Sequence, residues 1–144
     1  MIYAKTKQLL VTIALVAICH ASDGKAQQHK TAIVRHAELP LYPPIAWTTN
    51  TSGSITLRAI VNKGAVTSVD VEKTCTNCLD LEQGAMENAK TWTFAEWINE
   101  PITITYDFKI IKSMKDDETF ATVQVGSSIH VIINAAPSKP TTLY

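Results

Sequence analysis

From Ile55 the chain alternates. Ile55, Leu57, Ala59 and Val61 fall on one side and Thr56, Arg58 and Ile60 on the other, the period of two that marks a half-buried strand. Asn62-Lys63-Gly64 follows, where glycine supplies the positive φ of a tight hairpin. Val66, Val69 and Val71 then resume the apolar side, and the change of parity between Val66 and Val69 predicts a β-bulge near Thr67-Ser68. After Cys75-Thr76-Asn77-Cys78 the period lengthens. Leu81, Ala85, Ala89 and Trp92 share one helical stripe with Met86 beside it, while Glu82, Glu87 and Lys90 lie on other faces. A helix is predicted from about Leu79 to Lys90, capped by Asn77 or a neighbour. Asp80 and Glu82 stand in its first turn, where the helix dipole favours acids. The helix must cover the hairpin, because a lone two-stranded ribbon is marginal in water.

Beyond Pro101 the alternation is cleanest. Ile102, Ile104, Tyr106, Phe108 and Ile110 oppose Thr103, Thr105, Asp107 and Lys109, which predicts a third strand. Lys112 to Glu118 is a charged break, and Thr119 to Asn134 holds two β-rich pieces around Gly126-Ser127-Ser128, read as a further hairpin or one bent strand. Upstream, Pro40, Pro43 and Pro44 make a stiff strap, and the polar run from Gln27 to Leu39 reads as a linker or loosely docked arm. The predicted class is α+β: a small antiparallel sheet with one packed helix in the order ββαβ, over residues 40–111. A β extension over 112–136 and a frayed tail over 137–144 complete it.

The N-terminus sets the expected compartment. Lys5 and Lys7 precede an apolar stretch from Leu9 to Ile18, far short of the roughly 20 residues that span a bilayer. Residues 1–26 therefore read as a cleavable signal peptide, cut after Ala26 in preference to Ala21, leaving no stable membrane span and a periplasmic or secreted protein. The whole chain has 13 basic and 13 acidic residues; losing Lys5, Lys7, Lys25 and Asp23 leaves 10 against 12, a net charge of about −2. Nucleic-acid binding, which needs a clustered basic face, is disfavoured.

The chemistry-bearing motifs are few. Cys75-x-x-Cys78 stands before the predicted helix. It reads first as a structural disulfide, then as a redox dithiol activated by the helix N-terminus, then as half a metal site, and last as two inert thiols. A thioredoxin-like redox site belongs on a βαβ unit, whereas a hairpin strand precedes this pair. Zinc wants four ligands, and His29, His36 and His130 are dispersed. Asp116-Asp117-Glu118 reads as a solvated loop, no serine lies in a recognisable triad motif and no phosphate loop exists, so neither enzymatic activity nor a cofactor is expected. Trp47 and Trp97 lie outside the clean stripes and are candidate exposed aromatics.

The order of these motifs resembles the C-terminal domain of the TonB energy-transducer family. The residues are Tyr42-Pro43 with Ala46, Gly53, Lys63-Gly64, Val66 with Val69, Ala85 with Ala89, Trp92 with Phe94, and Ile102 to Phe108, covering about half of the chain. Two departures stand out: the usual membrane anchor and Pro-rich spacer are not recognised, and Cys75 and Cys78 sit where the family more often has Ser and Gly. The resemblance implies a non-enzymatic module that binds an extended peptide or an outer-membrane receptor segment by strand addition at an open sheet edge, linked to transmembrane transport. The expected edge is the third strand, through Thr103, Thr105, Asp107 and Lys109, provided residues 119–134 leave it uncovered. Sheet edges also offer a route to a homodimer. The alternatives are a periplasmic thiol-disulfide redox protein using Cys75 and Cys78, and a non-catalytic envelope scaffold.

Overall fold

The computed structural model describes residues 33–115 and 118–139. The signal-peptide reading and the last residues of the tail lie outside them. Strand β1 (Val34–His36) is followed by the strap and a short helix α1 (Pro44–Thr48). Then come β2 (Gly53–Asn62), β3 (Ala65–Lys73), helix α2 (Leu79–Lys90), the two-residue β4 (Thr93–Phe94), β5 (Ile102–Ile110), β6 (Thr119–Val125) and β7 (Ile129–Ala135). The strands form one seven-stranded sheet in the order β1-β4-β3-β2-β5-β7-β6. The class is α+β, with a sheet larger than the sequence suggested.

The β2–β3 hairpin closes through Lys63 and Gly64, both at positive φ, as a two-residue turn of the primed type requires. Gly64 admits no side chain, because an added Cβ would run into the carbonyl of Phe94, whose N–H bonds back to the Gly64 oxygen. The parity change is a bulge: Ile60 pairs with Ser68 and Val61 with Val66, which leaves Thr67 unpaired. Helix α2 has the predicted bounds and buries Leu81, Ala85 and Ala89. Asn77 does not cap it. Cys78 takes the N-cap position without a side-chain bond, and Asn77 sits at φ 60, a left-handed conformation that asparagine tolerates better than most residues.

One face of the sheet carries the core. Ile55, Leu57, Ala59 and Val61 of β2, Ile104, Tyr106 and Phe108 of β5, and Ile129, Val131 and Ile133 of β7 are all buried. Helix α2 covers this face over β2, β3 and β5. The strap and α1 extend the cover: Tyr42 meets Phe108 edge-on at 5.4 Å, and the Trp47 indole donates to the Ala136 carbonyl at 2.8 Å. Each fully buried Val, Leu, Ile or Phe among them contributes on the order of 1.5–3 kcal/mol relative to exposure.

Three expectations are corrected. Part of the residue 27–39 linker is strand β1, paired with β4 and continued by an Ala95 N–H bond to Ile33 O. Residues 112–136 are not an appendage, because β7 is an interior strand parallel to β5 while β6 folds back outside it. The start of the tail is pinned as well: Ser138 donates its N–H to Asn50 Oδ1 and its hydroxyl to Thr48 O, both at 3.1 Å.

Candidate functional site

Pairing on both flanks removes β5 from consideration as an edge. β2 occupies one side over Gly53–Ala59, and β7 occupies the other from Ile104 to Ile110. Thr103, Thr105, Asp107 and Lys109 thus lie on the uncovered face of a central strand, not along an edge. The physical reason is that β7 supplies four aliphatic positions in the same period of two, and the slot beside β5 buries all of them over the same core face.

Among the described residues the sheet ends instead at β1 and β6. β6 is the longer edge, Thr-Phe-Ala-Thr-Val-Gln-Val, without charge, proline or glycine. The bonds flanking its ladder, Ala136 N–H to Glu118 O and Gly126 N–H to Ser128 O, fix which residues face β7. By antiparallel alternation Phe120, Thr122 and Gln124 bond to β7, and Thr119, Ala121, Val123 and Val125 turn their N–H and C=O groups outward. The outward residues project their side chains toward the core face, with Ala121 and Val123 packed against it, while Phe120 stands exposed on the other face. Such a row of free backbone groups is a template for an added strand. The sequence signal for β6 was present as a β-rich run; its place at the edge was not, because that depends on where β7 goes.

The two tryptophans separate. Trp97 is 62% exposed, whereas Trp47 is half-buried and hydrogen-bonded and so is not a free aromatic. A residue that sequence reasoning missed is Asn88. Its Oδ1 accepts from Trp92 Nε1 at 3.0 Å and from Tyr106 Oη at 2.9 Å, and its Nδ2 donates to the Glu38 carbonyl at 2.9 Å. One amide thereby satisfies two buried donors and fastens the strap to α2. Burial pushes the Tyr106 phenol well above its usual range, which keeps it a neutral donor.

Cys75 and Cys78 form a disulfide, with Cα atoms 5.4 Å apart. The bond packs on Gly53 at the start of β2, where an added Cβ would overlap Cys75 Sγ. It joins the end of the hairpin to the start of α2, with Cys78 buried and Cys75 partly exposed. Among the described residues no group of three or more His, Cys, Asp or Glu is placed to hold a metal, and no helix is long and apolar enough to cross a membrane. Comparison with protein-family models, curated proteins and solved structures finds no match.

Proposed function

We propose that this chain is a TonB C-terminal-like, non-enzymatic binding module of the periplasm or cell exterior that captures an extended peptide, such as an outer-membrane receptor segment, by strand addition at β6. The observation that carries the reading is the β6 edge: seven uncharged residues that, among the described residues, pair on one side only. Natural edges are usually blunted by lysine, proline or shortness, and β6 has none of these devices. Main-chain bonds from Thr119, Ala121, Val123 and Val125 would supply affinity, and side-chain choice on the partner would supply selectivity. The succession β2, β3, α2, β5, with β2 between β3 and β5, supports the family resemblance.

The test is an amide-resolved NMR titration with receptor-derived and generic periplasmic peptides in extended conformation. Perturbation confined to the β6 amides is the expected result, and silence along β6 with every peptide would sink the reading in favour of a scaffold. Sedimentation in the absence of peptide reports whether a second copy takes the same edge as a homodimer.

The thiol-disulfide reading retains one favourable observation, the partly exposed Cys75 beside a helix N-terminus. Turnover on a model disulfide that disappears in Cys75→Ser would establish it. The packing of the bond on Gly53 favours a structural staple instead.

A further inference from the structure

A second surface lies away from the β6 ladder. The strap and the outer flank of α2 enclose an open groove of about 490 Å³. Its walls are held in place: Pro43 packs on Gly84, where an added Cβ would stand 2.7 Å from the proline Cγ, and the Asn88 amide holds the Glu38 carbonyl. Three large aliphatic side chains of the strap and the adjoining α1 face solvent, Leu39 at 60%, Leu41 at 83% and Ile45 at 61%. Single exposed leucines are ordinary, but three along one rigid groove make the kind of apolar patch that marks an interaction site. Among the described residues the charges lining it have one sign, since Glu38, Asp80 and Glu87 are present and no lysine or arginine is.

We infer that this groove docks a cationic apolar segment of a partner protein, one in which leucine-like side chains alternate with Lys or Arg. The aliphatic side chains of the partner would cover Leu39, Leu41 and Ile45, and its cations would meet the carboxylates, whereas an acidic peptide or nucleic acid would be repelled. The inference does not depend on strand addition. The surfaces are nonetheless contiguous: Leu41 and Tyr42 also line a smaller cavity of about 270 Å³ with Trp47, Glu118 and Thr119, so a chain leaving the groove at Leu41 arrives at the start of β6.

The test titrates the oxidised protein with a synthetic peptide of alternating Leu and Lys, and with a counterpart carrying Glu for Lys, by fluorescence anisotropy and amide NMR. The Lys peptide is expected to bind and to shift the amides of Leu39, Leu41, Gly84 and Thr91. Its affinity should fall about tenfold or more on raising salt from about 50 to about 500 mM, the behaviour of exposed charge pairs. Glu38→Gln with Glu87→Gln should reproduce that loss and remove the salt dependence. Leu41→Ser should abolish binding with an unchanged thermal midpoint, since that side chain stands in solvent. Ala121→Pro, which blocks the β6 edge, should leave groove binding intact, so the two surfaces fail separately. Equal binding of the Glu peptide, shifts confined to other surfaces, or no binding would overturn the inference.

Discussion

The two ends of the sheet are built differently. At one end β1 has three residues, pairs with a two-residue strand, and carries Arg35 beside Glu96 at 3.5 Å, so its free side is short and charged. At the other end β6 offers seven uncharged residues in regular alternation. A protein under pressure only to stay monomeric would blunt both. The contrast teaches that edge protection here is uneven, and it is the unevenness that the proposed strand addition at β6 rests on.

The contrast can be broken most completely by ending the chain after Ile111. This removes β6 and also β7, whose Ile129, Val131 and Ile133 are fully buried, so the expected outcome is no cooperative folding, read as a missing thermal transition in circular dichroism. Next in size, Asn88→Ala leaves the Trp92 and Tyr106 donors without their acceptor and unfastens the strap. Urea unfolding should show a loss of about 2–4 kcal/mol, with the β6 amide shifts unchanged in the folded protein.

A pH series gives a smaller effect. Burial raises the phenols of both Tyr42 and Tyr106 above their usual value of 10, so folded and unfolded chains are equally protonated below that pH and the tyrosine contribution is fully present. Above about pH 10 the unfolded chain loses these protons first and stability falls, a slope that Tyr106→Phe should reduce. Least costly to the fold is Ala121→Pro. Proline removes an N–H that points away from β7, so a stability change under about 1 kcal/mol is expected together with loss of extended-peptide binding at β6.

Much of this architecture is legible in the residues themselves. The bounds of α2 follow from the stripe Leu81, Ala85, Ala89, and the bulge at Thr67 follows from a single parity change, because both are local consequences of which side chains must be buried. The limits of β5 follow in the same way. Alternation reports that a strand has one buried face, but it carries no information about which strands flank it, so the edge that the resemblance implies at β5 holds only if residues 119–134 leave it uncovered, and β7 covers it. Val34 to His36 escaped notice because a three-residue strand has too few positions to show a period. The Asn88 junction escaped because its three partners are separated in sequence by 4, 18 and 50 residues, and no spacing announces it. The disulfide was legible as a motif, whereas its seat on Gly53 was not.

The parallel pairing of β7 with β5 also orders events in time. The chain leaves β5, passes the slot beside it, lays down β6 one position too far out, and only then returns to fill the gap. During synthesis from the N-terminus, the strand that completes the middle of the sheet is therefore the last of the described strands to emerge, and until residues 129–135 are available one flank of β5 stands unpaired. Assembly thus waits on its final strand, as expected for a fold whose contacts join distant parts of the chain. The β6 ladder comes into being in that same step, so an incompletely made chain lacks the edge proposed above for strand addition.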